Sequence, residues 1–315
     1  MSTLLVSQRN FEDHRTPAGH SERADRMRAV EDALAASLFE PLVRKDAPEG
    51  DITLAELVHD SSYMGQLRDA RPAEGIGQLD ADTFISDRSL DAVSTGLGGA
   101  LAGLHGVLLG DVDNAFCAIR PPGHHAEISR PMGFCLVNTI AITAREAQRK
   151  YGAERIAIVD FDVHHGNGTQ DIFKDDPNIF FASSHQMPLY PGTGHPRETG
   201  VGNIVNVALD AQGDGSDMRA AYKDIILPAL DNFAPDLLLI SAGFDAHRLD
   251  PLAQLNWGDS DYSWLTGKLM DVAERRCGNR IVSLLEGGYD LKGLGGGVRH
   301  HVAMLLNGVA PNDKE

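Results

Sequence analysis

The sequence has few cysteines, no long apolar run and fewer basic than acidic residues. Its three cysteines, Cys117, Cys135 and Cys277, are an odd number without a C-x-x-C pair. That usage argues against a disulfide framework or cysteine-ligated zinc and favours a reducing compartment. No run of 18 apolar residues could span a bilayer, and no basic-then-apolar signal peptide begins the chain. We therefore expect a cytoplasmic protein that does not enter membranes.

The deficit of basic residues bears on the partners. Lysine and arginine number 28 against 45 aspartates and glutamates, a net charge of −17. Such a surface repels phosphate backbones, so we expect no nucleic-acid partner. The same charge would attract cationic substrates such as lysine-bearing peptides or polyamines, although acidity more often serves solubility alone.

Apolar runs alternate with helical segments along most of the 315 residues. The predicted strands are Thr3–Ser7, Ala115–Ile119, a run from Ile156, Ile179–Ala182, Ile204–Ala208, Leu237–Ile240 and Ile281–Leu285. The main predicted helices are Ser21–Phe39, Ser89–Leu109, Val137–Tyr151, Asp217–Phe233, Ser260–Arg276 and Leu291–Leu306, and Thr53 is predicted to cap a shorter one. Apolar strands alternating with helices indicate a parallel sheet covered on both faces. Because no composition break marks a linker, we expect one α/β domain over residues 1–315.

The stretch Ile156–Gly168, I-A-I-V-D-F-D-V-H-H-G-N-G, changes from apolar to polar. It opens as a buried strand and keeps a period of two, which predicts Asp160, Asp162 and His164 on one side. Two carboxylates and an imidazole at the end of an apolar strand are costly to bury unless a cation compensates them. The stretch therefore predicts a divalent metal site.

Other polar clusters also follow the ends of predicted strands, where ligands of open parallel sheets collect. They are His124-His125 after Ala115–Ile119, Asp245 after Leu237–Gly243, and Tyr289 after Ile281–Gly288. A lone aspartate after a strand is usually a helix cap, and a lone histidine pair usually belongs to a loop or core. Convergence of four strand ends on one edge instead predicts a single site.

The candidate metal ligands are Asp162, His164 and Asp245, two carboxylates and one imidazole. Three protein ligands leave a position open for water or substrate, as in catalytic zinc sites. Without a thiolate, Fe²⁺, Co²⁺ and Mn²⁺ fit as well. Two adjacent histidines could move protons, and a tyrosine hydroxyl could donate to a developing oxyanion. Together these groups predict metal-assisted hydrolysis of a carbonyl substrate.

Six long motifs are spread over nearly the whole chain. They are R-P-P-G-H-H-A-E (Arg120–Glu127), G-F-C-x-x-N (Gly133–Asn138), V-D-F-D-V-H-H-G-N-G-T-Q (Val159–Gln170), P-G-T-G (Pro191–Gly194), S-A-G-F-D-A-H-R-L-D-P-L (Ser241–Leu252) and L-E-G-G-Y-D-L (Leu285–Leu291). This set resembles the zinc-dependent histone deacetylases, and in particular the class II branch and the bacterial histone deacetylase-like amidohydrolases. The resemblance implies the arginase–deacetylase α/β fold, one domain around an eight-stranded parallel sheet.

The resemblance also implies a role for each catalytic residue. Zinc would be bound by Asp162, His164 and Asp245. His125 would be the main general base and acid, His124 would assist electrostatically, and Tyr289 would bind the scissile carbonyl and the oxyanion. Asp160 would hydrogen-bond His124, and Asn167 would lie behind His125. Because a neutral asparagine cannot stabilise an imidazolium by charge, His125 should have the lower proton affinity of the two histidines.

The resemblance implies a tunnel for an acyl-lysine side chain. Phe134 and Tyr190 would form its aromatic walls, and Gly133 and Gly288 would allow close backbone approach. At the position of Leu252, polyamine-selective relatives carry a glutamate that holds a distant ammonium. Leucine there favours acyl-lysine or other small acyl amides. A structural potassium ion would lie near Asp160, Asp162, His164 and Ser183.

Three alternatives remain open from the sequence. The net charge of −17 favours an acetylpolyamine amidohydrolase, whereas Leu252 opposes it. A non-catalytic acyl-ligand sensor would be expected to lack Tyr289, His125 or a metal ligand, and none is lost. A binuclear arginase-like manganese enzyme would need more carboxylate ligands. We also expect a homo-oligomer as one assembly state, since bacterial relatives often form dimers or tetramers.

Overall fold

Eight parallel strands form the central sheet of the computed structural model, which describes residues 1–311. The strands in chain order are β1 (Thr3–Ser7), β2 (Val43–Asp46), β3 (Ile76–Gln78), β4 (Phe84–Ser86), β5 (Asn114–Ala118), β6 (Ile156–Asp160), β7 (Ile179–Gln186), β8 (Ile204–Leu209), β9 (Leu237–Ala242) and β10 (Ile281–Leu285). The sheet order is β2-β1-β5-β10-β9-β6-β7-β8, and β3 and β4 form a separate antiparallel pair. The α/β fold with an eight-stranded parallel sheet is confirmed.

Helices cover both faces of this sheet. The α-helices are α1 (Asp25–Ala33), α2 (Ser61–Ala70), α3 (Ser89–Leu108), α4 (Thr139–Tyr151), α5 (Asn167–Phe173), α6 (Gly215–Ala221), α7 (Leu227–Phe233), α8 (Asp259–Cys277) and α9 (Leu291–Asn307). A π-helical turn, Tyr222–Ile226, joins α6 to α7. Every residue of β5, β6, β7, β9 and β10 is buried, as expected for parallel strands between two helical layers. In residues 1–311, no helix is both long and apolar enough to cross a membrane.

Some predicted boundaries were wrong for local physical reasons. The first helix begins at Asp25 rather than Ser21, because the preceding segment places Glu22 in the interior against Arg120. Thr53 does not cap the short helix that follows; Asp51 does, by accepting from the Thr53 amide. The edge strand β2 was not predicted, because its sequence V-R-K-D is exposed along its whole length and has no apolar pattern.

The strand order explains how distant motifs meet. β5, β10, β9 and β6 are consecutive neighbours in the sheet, and all four are parallel. Their carboxyl ends therefore lie side by side at one edge. These four strands lead into His124-His125, Tyr289, Asp245 and Asp162-Val163-His164, respectively.

Candidate active site

The metal-binding segment leaves the sheet immediately after β6. The strand ends at Asp160, so the predicted continuation of a two-residue period through His164 is wrong. The turn is instead built by side chains that accept from the backbone: Asp160 Oδ1 from the Asp162 amide at 3.1 Å, and Asp162 Oδ1 from the His164 amide at 2.9 Å. Alternate residues still converge, but through loop hydrogen bonds and not through strand pleating.

The three candidate ligands converge on one point. One donor atom from each of Asp162, His164 and Asp245 lies within 4.8 Å of the other two, and all three residues are buried. His164 Nδ1 lies 3.1 Å from Asp162 Oδ1 and 3.1 Å from Asp245 Oδ2. Backbone amides orient the carboxylates: Val163 donates to Asp245 Oδ1, and Gly287 donates to Asp162 Oδ2, both at 2.8 Å.

Glycines leave room for this cluster. A Cβ on Gly243 would collide with Asp162 Oδ2, and one on Gly287 would collide with the carboxylate oxygens of both Asp162 and Asp245. The S-A-G-F-D and L-E-G-G-Y motifs therefore need glycine next to the ligands for a steric reason. Alanine at either position would force the carboxylates out of place.

The charges of the cluster fit a cation. Burial opposes the imidazolium form of His164, but Asp162 and Asp245 outweigh it and raise the pKa of His164 to about 10. Burial and the nearby charge of Asp162 raise the pKa of Asp245 to about 7. Two buried carboxylates that share one imidazole thus attract positive charge into the space between them. Oxygen and nitrogen donors without a thiolate suit Zn²⁺, Fe²⁺, Co²⁺ or Mn²⁺.

The two adjacent histidines have different partners. His124 Nδ1 lies 2.9 Å from Asp160 Oδ2, whereas His125 Nδ1 lies 2.7 Å from Asn167 Oδ1. Burial opposes the charged form of His124, but Asp160 and Asp162 outweigh it and raise its pKa well above the usual value. Burial, together with the charges of His124 and His164, holds the pKa of His125 well below its usual range. The order of the two pKa values is the one predicted.

The contacts of Asn167 identify the tautomer of His125. Asn167 Nδ2 donates to Glu127 Oε1 at 2.7 Å and lies 3.2 Å from Met132 Sδ, so its Oδ1 faces His125. An amide oxygen can only accept, and therefore His125 Nδ1 carries the hydrogen. His125 Nε2 is then a free base, and the ring lines a cavity.

That cavity has a volume of about 220 Å³, and three chemically active side chains are part of its lining. His125, His164 and Tyr289 supply these groups. The remaining lining residues are Asp82, Gly133, Phe134, Leu189, Tyr190 and Leu252. Four of the five predicted substrate-binding residues therefore lie on the cavity. The fifth, Gly288, is not among the lining residues; its φ of +121° favours glycine, and a Cβ there would lie 3.0 Å from Leu294 and 3.2 Å from Phe244.

Tyr289 is held from behind by charged groups. Asp250 Oδ2 accepts from its amide at 2.7 Å, and the Arg26 guanidinium lies 5.0 Å from the centre of its ring. Arg26 also donates to the carbonyl of Gly288 at 2.7 Å. Burial raises the pKa of Tyr289 well above its usual value, so its hydroxyl keeps its proton and acts as a donor.

Sequence reasoning missed several residues that support the site. Glu286 is buried and accepts from the amides of Gly123 and His124, which fixes the start of the histidine loop. Asp82 and Leu189 also line the cavity, and both lie outside the six motifs that resemble the deacetylase family. Glu286 lies inside L-E-G-G-Y, and an acid directly after an apolar strand was a usable signal. Nothing in the local sequence indicates Asp82 or Leu189.

Comparison with known proteins agrees with this geometry. The family model described as "Histone deacetylase domain" matches residues 20–305. The chain belongs to the histone deacetylase family.

Other members of the histone deacetylase family align along most of the chain. "Histone deacetylase-like amidohydrolase" of Pseudomonas aeruginosa is 36% identical over 278 residues, 86% of this chain and 73% of that protein. "Histone deacetylase 10, chloroplastic" of rice is 48% identical over 187 residues, which cover 58% of this chain and 42% of the relative. The crystal structure of the HDA15 HD domain has a TM-score of 0.91 at 33% identity and covers 98% of this chain and 91% of that one. The match to this histone deacetylase family member confirms the arginase–deacetylase fold.

Proposed function

We propose that the protein is a metal-dependent amidohydrolase that removes acetyl or other short acyl groups from lysine side chains or similar amines, and that residues 1–315 act as one catalytic domain. One observation carries the proposal: a single cavity is lined by a neutral histidine, a candidate metal ligand and a protonated tyrosine. The family supports an amide-hydrolysing activity.

Asp162, His164 and Asp245 would hold a divalent cation, with Zn²⁺ the leading candidate. When bound, the cation supplies Lewis acidity that polarises a carbonyl and acidifies a water molecule. A structural potassium ion is also part of the proposal, near Asp160, Asp162, His164 and Ser183, where the end of β6 pairs with the middle of β7. The buried negative charge at the end of β6 supports a second cation there.

The chain's own residues would move the protons. His125 is neutral and has a free Nε2, so it can accept a proton from the attacking water and later donate one to the leaving amine. His124, held as an imidazolium by Asp160, adds positive charge behind the reacting carbonyl and keeps the pKa of His125 low. The Tyr289 hydroxyl donates to the oxygen on which negative charge develops.

The walls support an unbranched, uncharged stem in the tunnel. Phe134, Leu189, Tyr190 and Leu252 line the cavity together with the catalytic groups. Methylene groups lose little on entering such a space. A distant ammonium would find no partner at Leu252, although the carboxylate of Asp82 also lines the cavity. The apolar walls and Leu252 favour acyl-lysine, whereas Asp82 favours acetylated polyamines, and we propose acyl-lysine as the leading substrate class. The buried, free state of all three cysteines supports a reducing compartment such as the cytoplasm.

A substrate and metal panel tests the proposal. The purified protein is loaded separately with Zn²⁺, Fe²⁺, Co²⁺ and Mn²⁺, and release of the acid is measured from acyl-lysine peptides and from acetylated putrescine and spermidine. We expect turnover on the peptides and a lower kcat/KM on the polyamines. Metal-replete protein that binds these amides but turns none of them over would instead be a sensor.

A further inference from the structure

A second group of buried histidines lies beneath the loop that carries one tunnel wall. This wall loop, residues 187–203, connects β7 to β8 and brings Leu189 and Tyr190 to the cavity. Within residues 1–311, the segment 188–192 makes no hydrogen bond of its own. Leu189 packs against the hydrophobic core, and Tyr190 contacts the rings of His125 and His164. The hydrogen bonds that anchor the wall therefore come from flanking residues, the nearest on the carboxyl side being Thr193.

His165 contacts the wall loop through a defined tautomer. Its Nε2 lies 3.0 Å from Gln170 Oε1. Two other contacts orient the Gln170 side-chain amide: its Nε2 donates to Glu198 Oε2 at 2.6 Å, and its Oε1 accepts from Asn206 Nδ2 at 2.7 Å. Because Gln170 Oε1 accepts, His165 Nε2 carries the hydrogen. His165 Nδ1 is then an acceptor, and the Thr193 hydroxyl, 2.8 Å away, donates to it.

His185 contacts the next residue of the loop from the other side. Its Nε2 donates to the carbonyl of Gly194 at 2.9 Å, and its Nδ1 accepts from the Ser183 hydroxyl at 2.9 Å. The two imidazole rings are 4.8 Å apart, and Gly194 has a φ of +86°. A Cβ on Gly194 would lie 2.5 Å from atoms of both His165 and His185, so only glycine fits between them.

Glu198 completes the attachment. Its carboxylate accepts from the amides of Gly194 at 3.2 Å and His195 at 3.0 Å. Thr193, Gly194 and His195 are thus held by four hydrogen bonds to three side chains. This attachment begins three residues after Tyr190, whose ring centre lies 5.3 Å from that of His125.

We propose that His165, His185 and Glu198 are positioning residues that clamp residues 193–195 and thereby set the distance between the Tyr190 wall and the catalytic centre. The proposal rests on the function proposed above for the cavity. His165 directly follows the candidate ligand His164, so the clamp ties the wall to the same loop that holds the metal site. Neither histidine of the clamp lines the cavity.

The kinetic test removes one clamp bond at a time. Thr193→Val deletes the hydroxyl that donates to His165, and Thr193→Ser keeps it. Thr199→Val, in the same loop, is the matched control, because the Thr199 hydroxyl makes no hydrogen bond within residues 1–311. A wall that contacts the substrate stem acts equally on ground and transition states, so its displacement raises KM and spares kcat. We expect Thr193→Val to raise KM roughly five- to tenfold, the effect of about one hydrogen bond, with kcat changed by less than about twofold.

Thr193→Ser and Thr199→Val should both retain the wild-type KM. A contact that served only to keep the chain folded would lower the amount of active enzyme, and therefore the apparent kcat, without moving KM. Such a pattern would overturn the clamp.

Amide hydrogen exchange tests the clamp without any activity. We expect exchange of the hydrogen-bonded amides within residues 194–202 to accelerate about tenfold or more in Thr193→Val and in Glu198→Ala, but not in Thr199→Val. Exchange equal to that of the control would overturn the clamp. If the wild-type protein hydrolyses no acyl amide but exchange is accelerated in the variants, the clamp is supported and only the proposed reaction is wrong.

Discussion

Replacing Asn167 by aspartate places a negative charge beside the imidazole that we propose as the general base. Asn167 Oδ1 lies 2.7 Å from His125 Nδ1. Burial and two neighbouring histidines hold the pKa of His125 well below its usual range in the wild-type chain. A carboxylate at the position of the amide favours the imidazolium, so the pKa of His125 rises. The substitution gives His125 the kind of partner that Asp160 gives His124.

The size of the shift follows from the geometry. Unit charges ~4 Å apart interact by about 4 kcal/mol at an effective dielectric constant of ~20, which corresponds to roughly three pKa units. The new carboxylate would be buried beside Glu127, whose Oε1 contacts Asn167 Nδ2 at 2.7 Å, and this opposes its ionisation. We therefore expect the pKa of His125 to rise by about one to three units.

The assay is the pH dependence of kcat/KM on an acyl-lysine peptide across about pH 5–9. A general base must be neutral in the free enzyme, so the rate falls as the pH drops below its pKa. Raising that pKa in Asn167→Asp moves the acid limb to higher pH by the same amount. Asn167→Ala, which removes the acceptor without adding charge, should not move the limb upward.

A double variant separates the base from its surroundings. Adding Glu127→Gln to Asn167→Asp relieves the repulsion between two carboxylates and should bring the shift towards the upper end of the expected range. An acid limb that stays in place in both variants, with metal content and folding intact, would show that His125 is not the group that must be deprotonated.

Three further outcomes are expected. Tyr289→Phe should keep its metal and lower kcat by roughly 10²–10³, because the oxyanion loses a donor; unchanged turnover would exclude Tyr289. Leu252→Glu should raise kcat/KM on acetylated spermidine relative to the peptide, measured on the same panel, since the cavity gains a partner for an ammonium; an unchanged ratio would contradict this placement. Glu22→Gln should lower the free energy of unfolding, measured with urea, by roughly 3–5 kcal/mol, because Arg120 and Arg26 lose a buried counter-ion. Although burial opposes its ionisation, Arg120 and its neighbours lower the pKa of Glu22 from 4.5 to about 2. Its contribution to the free energy of unfolding is therefore complete above about pH 4.5 and declines as the pH falls towards 2. This pH-dependent loss of stability should be missing in Glu22→Gln.

Glu22 and Glu286 show which buried acids can be predicted from the local sequence and which cannot. Both acids are buried, and both support catalytic loops from elements far apart in the sequence. Glu286 directly follows the apolar strand β10, where a lone carboxylate is conspicuous. Glu22 lies in a polar, turn-rich segment that predicts a helix start, and only its contacts with Arg120 and Arg26 show that the segment crosses the interior instead.

The chemical types needed for the site and the layer arrangement of the fold could be inferred from the amino-acid order. Apolar runs indicate buried parallel strands, and polar residues directly after them indicate ligands at the sheet edge, because both depend on residues close together in the chain. Four features could not be inferred from the sequence and were decided by the tertiary structure. They are the adjacency of β5, β10, β9 and β6, the loop geometry after Asp160, the tautomer of His125 and the attachment of the wall loop at Gly194. The strand order and the tautomer depend on contacts between residues tens to hundreds of positions apart, and a burial pattern along the chain does not specify which partner each buried polar group will meet. The loop after Asp160 is set by hydrogen bonds from side chains to amides two residues away, which a period of two in the sequence does not reveal.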